Sequence, residues 1–282
     1  MSSRLLNALS AALIALACLL VPFGALAAWA SYGLADTGRY VTAMAPLATD
    51  PAVRDAVADT VGDGIVRETD AGAPMRPFVH DAVRSFTGTD AFRTAWDSGN
   101  RAVHDAVLRA VRDGGGGEVR VDLARVAAEV KERLAADNMP LASRIPVEHT
   151  EVAVLPAGEL AQLRRGLQVL EIAGFWLPVT AAVLAVAGIA VAACRRRAVT
   201  ATALGTALGG VFLALAVALG RRLTLADLPD DVHRPAAGAV YDALTAALRT
   251  VSWLLVAVGL AVALGTWLLA RRRQPSVSAS GP

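Results

Sequence analysis

The chain has 282 residues, 55% hydrophobic but only 5% aromatic, and its apolar residues are gathered into long runs, which argues against an ordinary soluble globule and for a polytopic membrane protein with one polar insert. Its 27 Lys and Arg against 25 Asp and Glu give a formal charge of +2, yet residues 31–167 carry 16 basic against 20 acidic groups, a net of −4, while Arg4 and two arginine triplets stand beside the apolar runs without an acid. The basicity is therefore a matter of membrane placement, and nucleic acid, which needs a basic stripe on a folded face, is not an expected partner.

Met1 to Arg4 form a short basic head before an apolar run from Leu5 to about Ala30, interrupted only by Asn7, Ser10 and Pro22. The run is long enough to cross a hydrocarbon core of about 30 Å. Ala25-Leu26-Ala27 also offers the small-x-small site of a cleaved signal peptide, but the length of the run and its single arginine favour a retained span. On either reading the residues that follow are exported. Cys18 lies in this run and Cys194 at the edge of a later one, so the insert has no cysteine for a disulfide framework. Lipidation of Cys18 is disfavoured by the alanine-rich Ala15-Leu16-Ala17 before it, and both thiols are expected to pack in the membrane.

Asp50-Pro51 has the cap and first-turn proline of a helix start. Val53, Val57, Val61 and Ile65 then give one apolar stripe. Asp55, Asp59 and Asp63 recur at the same spacing on the other side and are expected to form a solvated face, because oxygen-ligand cation sites are built on tight turns with closely alternating acids. After Pro74 and Pro77 a short helix is predicted over Phe78 to Phe86, ending at Gly88. The next helix, from Thr89-Asp90 to about Asp113, carries Phe92, Trp96, Asn100 and His104 four residues apart on one drifting stripe, with Arg101 beside them. Asn100, Arg101 and His104 are the candidate residues for ligand or partner binding. The competing reading is that Asn100 and His104 hydrogen-bond neighbouring helices at the edge of the core.

Gly114 to Gly117 lack the Lys-Ser/Thr of a phosphate loop and read as a turn or connector. Glu118 to Leu123 alternates as a short strand, Leu123 to about Asp137 is amphipathic with Val126, Val130 and Leu134 on one side, and Ile145-Pro146 leads into a second alternating stretch, Val147 to Leu155. The two strands are expected to pair. From Pro156 one helix is predicted to start outside and run on as the second span to Cys194. The triplet Arg195, Arg196 and Arg197 then turns the chain into a third span, about Ala198 to Leu219. Arg221 and Arg222 beyond it are partly offset by Asp227, Asp230 and Asp231. Pro235 opens the last helix, whose crossing runs from Val251 to Ala270 with Trp253 and Trp267 near the two interfaces, and Arg271, Arg272 and Arg273 close it. The tail from Gln274 is expected to be disordered.

The interiors of the four predicted spans contain no Asp, Glu, Lys, Arg or His, which makes an ion-coupled carrier or an intramembrane hydrolase a poor fit. No Gly-x-Ser-x-Gly, His-Glu-x-x-His or Ser-x-x-Lys set is present, and His80, His104 and His149 are scattered. No catalytic residue, metal or cofactor is assigned, although a site assembled from distant residues is left open. Ala201, Gly205 and Gly209 would permit close helix contact, within the chain or between two copies.

Three further stretches carry a resemblance: Ala45-Pro46-Leu47 with Asp50-Pro51-Ala52-Val53, Phe92-x-x-x-Trp96-x-x-x-Asn100-Arg101-x-x-His104, and Ile145-Pro146. With the flanking spans, the chain resembles an uncharacterised family of four-span integral membrane proteins from high-GC Gram-positive bacteria, a likeness that implies the architecture and no activity, cofactor or catalytic residue. The expected fold is mainly α, with four transmembrane helices and a mostly helical extracytoplasmic domain holding a minimal two-stranded sheet. Its divisions are a first span over residues 1–30, the outer domain over 31–167, a second span over 168–194 continuing a helix from near 156, an arginine turn over 195–197, a third span over 198–219, an outer loop and projecting helix over 220–250, a fourth span over 251–270 and a cytoplasmic tail over 271–282. Positive charge retained inside puts both termini in the cytoplasm of a multi-pass protein of the cell membrane. The expected function is non-enzymatic binding, sensing or scaffolding by the outer domain, with the lipid bilayer and an envelope or membrane protein as partners. The alternatives are a membrane component of a transport or export system and, behind it, an exported hydrolase.

Overall fold

The computed structural model describes residues 3–68, 73–113, 119–122, 124, 128, 131–132, 151–155, 157–228 and 233–272. The expectations for the Gly114 to Gly117 turn, the amphipathic stretch around Val126, Val130 and Leu134, the Ile145-Pro146 step, Asp230, Asp231, Arg273 and the C-terminal tail lie outside these residues. The described chain is mainly helical, and four of its helices are long and apolar enough to cross a membrane, the build of a multi-pass membrane protein. It divides into two compact units. One comprises Met1–Tyr32, Leu170–Gly220 and Ala246–Pro282; the other comprises Gly33–Val169 and Arg221–Thr245.

The apolar unit is built on four helices: α1 (Ser3–Trp29), followed by a wide π turn over Ala30–Leu34, and the three later helices α6 (Ala157–Val191), α7 (Arg195–Ala226) and α8 (Arg234–Arg272). Backbone groups in hydrocarbon must be satisfied within their own segment, which is why these runs are helical despite Pro22 in α1 and Pro178 in α6. Lipid gives apolar helices no reason to associate through large side chains, so contact is made where small residues let backbones approach. Many large aliphatics accordingly point outward, with Leu208 69% and Val186 68% exposed. A Cβ on Gly210 of α7 would come within 2.7 Å of Ser252 O, and one on Gly259 of α8 within 2.5 Å of Ala203 O. Those two glycines set an antiparallel α7–α8 contact, in which Leu248 and Ser252 are fully buried. A second face of α7 meets α1, where Gly205 abuts Cys18 and Gly209 abuts Pro22. Ser10 of α1 donates to Gly188 O of α6 at 2.7 Å. Of the small residues singled out in the third span, Gly205 and Gly209 thus serve contacts within the chain, while Ala201 is exposed.

The polar unit contains α2 (Thr37–Met44), a 3-10 turn over Ala45–Thr49, α3 (Pro51–Glu68), α4 (Arg76–Thr87) and α5 (Asp90–Asp113). It also contains a two-stranded antiparallel ribbon of β1 (Val119–Asp122) and β2 (Glu151–Leu155), with Asp122 opposite Glu151. The Asp50 carboxylate accepts from Ala52 N at 2.9 Å and Val53 N at 3.2 Å, capping α3 as its sequence suggests. The sequence reading assigns no element between residues 31 and 49, whereas α2 is there, its first turn held by Asp36 accepting from Arg39 N at 2.8 Å. Met44, Leu47 and Val53 form a core against which Tyr40, Trp96 and the leading turns of α8, including Val240 and Leu244, pack. Arg221 is answered by Asp242, with its Nε 3.1 Å from Oδ1 and 3.2 Å from Oδ2.

The α7–α8 contact predicts a contrast between two glycines of one helix. Gly259→Ala should destabilise the full chain in detergent by about 1–3 kcal/mol, the usual cost of overpacking, whereas Gly265→Ala, whose Cβ meets nothing within 4 Å, should be near neutral. Thermal unfolding followed by far-UV circular dichroism distinguishes the two; equal midpoints would contradict the assigned contact.

Candidate functional site

The stripe on α5 is aimed at the segment that precedes α3. Trp96 donates from Nε1 to Met44 O at 2.9 Å, fastening the last turn of α2. The Asn100 amide nitrogen donates back to Trp96 O at 2.8 Å, and its oxygen lies 3.5 Å from the Tyr40 hydroxyl. His104 Nε2 is 2.9 Å from Leu34 O. A carbonyl can only accept, so this nitrogen carries a proton. His104 Nδ1 stands 3.1 Å from Thr37 Oγ1, and that hydroxyl donates to Asp105 Oδ1 at 2.5 Å. The Tyr40 ring stacks on the imidazole with centroids 4.2 Å apart, and burial pushes its phenol pKa above the ordinary value of 10.0.

The structure therefore brings Asn100 and His104 into one network and leaves Arg101 out of it. Arg101 is exposed and has no ion-pair partner among the described residues. Truncating His104 would remove the partner of the part-buried Leu34 carbonyl, a loss of about 0.5–1.5 kcal/mol. His104→Ala and Asn100→Ala should each lower the unfolding temperature of the full chain, while Arg101→Ala should not. A binding-only role for Asn100 and His104 would instead give three variants as stable as the parent.

The acid ladder stays at the surface, as its spacing suggests, but it is paired. Asp55, Asp59 and Asp63 do not face solvent alone: α4 lies antiparallel to α3 and presents Arg84, His80 and Arg76 at the same four-residue spacing. Arg84 Nε is 3.3 Å from Asp55, His80 reaches Asp59 at 3.5 Å and Asp63 at 3.2 Å, and Arg76 lies 3.6 Å from Asp63. The imidazole fits because residue 62 is glycine; a Cβ there would meet the ring at 3.0 Å. These pairs are half-exposed, so each contributes little to stability and the ladder mainly fixes register.

Beside the stripe lies a feature that periodicity did not disclose. A hollow of about 370 Å³ opens between α3, α4 and α5, walled by Val57, Val61, Val83 and Phe86 and edged by Trp96 and Asn100. The apolar stripe on α3 outruns its cover: Val53 is 3% exposed, whereas Val61 is 43% and Ile65 39% exposed. That mismatch was the available signal, since the stripe is longer than the helix packed on it. Within the apolar unit a separate hollow of about 390 Å³ is lined by small and apolar residues together with Cys18, Thr202 and Thr206.

Of the topology residues, Arg195, Arg196 and Arg197 form the first turn of α7, Arg271 lies over the Trp267 ring at 4.3 Å, and Arg272 belongs to the end of α8. No family model, curated protein or solved structure matches the chain.

Proposed function

We propose that the chain is a non-enzymatic protein of the cell envelope that displays its polar unit on the outer side of the membrane and there binds an apolar group of an envelope or membrane protein. The hollow between α3, α4 and α5 is the observation that supports this reading. Its walls are valine and phenylalanine with one carboxamide at the edge, the mixture of broad apolar surface and few polar groups found in recognition pockets. The placement of the arginines supports the orientation, with both termini cytoplasmic. Membership of the resembled family of four-span membrane proteins belongs to the same proposal, as does the role of Arg101, exposed on α5 and able to meet an acidic group on the partner.

A membrane component of a transport or export system is the second reading, favoured by the hollow among the spans where Thr202 and Thr206 supply hydroxyls. Apart from these hydroxyls and the Cys18 thiol its lining is alanine, glycine, valine, leucine and Pro178, a surface suited to lipid or an apolar cargo rather than an ion.

Gly99 tests the binding reading without disturbing the fold. It lines the hollow and a Cβ on it would meet nothing within 4 Å, so Gly99→Leu fills the space while gaining about 0.5–1 kcal/mol of helix propensity. With a photoreactive residue in place of Val61 on the rim, the otherwise unchanged chain should capture a specific partner in intact cells, and adding Gly99→Leu should abolish the capture. Identical capture by both proteins would sink the assignment of the hollow as the binding site.

A further inference from the structure

At the end of the apolar unit that carries the arginine turn, α1 and α7 flank a cleft of about 550 Å³. Ser10, Ile14 and Ala198 are buried and form its floor, while Ala15 and Ala201 on its sides are exposed, so the trough opens laterally. The Ser10 hydroxyl is already bonded to Gly188 O, which leaves the floor apolar. Asn7, Cys194 and Arg197 also line the cleft.

The charge at this cleft is unanswered. Arg196 donates to Thr266 O at 3.2 Å and Arg271 covers Trp267, but Arg197 is exposed and has no partner among the described residues. Residues 1–32, 172–220 and 246–282 contain no Asp or Glu at all. Glu171, the one acid of this unit, precedes Arg195 by 24 positions along α6 and the turn, a helical length of about 36 Å.

We propose that this cleft is a binding site for an anionic phospholipid, with an acyl chain lying against Ile14, Ala15 and Ala201 and the phosphate at Arg197 and Asn7. Guanidinium binds phosphate oxygens through its planar fork of donors, and basic pockets between membrane helices hold anionic headgroups. An inorganic anion would use the guanidinium but not the trough. The inference rests on membrane embedding and is independent of the hollow in the polar unit.

The full chain, purified in mild detergent, is offered phosphatidylglycerol and phosphatidylcholine of identical chains in equal amounts, and retained lipid is read by native mass spectrometry. Phosphatidylglycerol should be retained in preference and should withstand added inorganic phosphate. Arg197→Ala should lower its retention about fivefold, the effect of one basic group at an anionic lipid. Ala15→Phe, which fills the trough and leaves the charge, should lower it too, with circular dichroism unchanged in both variants; Arg271→Ala should not. Equal retention of the two lipids, displacement by inorganic phosphate, or undiminished retention in both Arg197→Ala and Ala15→Phe would overturn the site.

Discussion

A guanidinium costs about 2.5–3.5 kcal/mol at the centre of a membrane helix on insertion scales, and three in a row cannot be drawn through the hydrocarbon without losing the span they border. This constraint explains why α6 ends at Val191 and α7 begins at Arg195, leaving a short turn in which no residue needs to enter lipid. With the turn pinned outside the hydrocarbon, the helices on either side run antiparallel. Their contacts within the unit are then left to small residues, because aliphatic side chains are as well solvated by lipid as by each other. Gly210 and Gly259 at one face of the bundle, Gly205 and Gly209 at another, and Gly24 and Gly188 between α1 and α6 are among the places where that requirement is met.

The polar unit obeys the opposite rule, since water rewards the burial of its apolar faces and penalises every polar group buried without a partner. Its answer is to spend polar residues on joining elements. Trp96, Asn100 and His104 hold the residue 34–44 segment to α5 with indole, amide and imidazole bonds, and Tyr40 adds a stacked ring. Asp55, Asp59 and Asp63 meet an opposed ladder on α4 that fixes how the two helices slide past one another. Beside these joints lies an open apolar surface, the hollow walled by Val57, Val61, Val83 and Phe86.

Local chemistry made the long elements legible in the sequence. Apolar length announced the four membrane-length helices, Asp50-Pro51 announced the start of α3, and the residue 89–113 helix emerged with nearly its observed bounds. The failures are those that require knowing which elements meet. Asp55, Asp59 and Asp63 keep much of their exposure, but their pairing is illegible because the partners lie across a helical hairpin, and no periodicity within α3 encodes Arg76, His80 and Arg84. Helix α2 is faint in the sequence because it is short and amphipathic, although Asp36 before Thr37 offers a cap and Tyr40, Val41 and Met44 a spacing. For the candidate site, the stripe was visible but its direction was not: Asn100 and His104 turn inward to α2, and the open surface lies beside them.

The orientation proposed for the chain is most directly tested with its own cysteine. Cys194 is exposed next to the arginine turn, and Ser85 is exposed on α4 of the polar unit. With a membrane-impermeant maleimide applied to intact cells, Cys194 should remain unlabelled until the cells are opened, while Ser85→Cys should react at once. Labelling of Cys194 in intact cells, with Ser85→Cys silent until lysis, would reverse the orientation and remove the basis for an outward-facing binding unit.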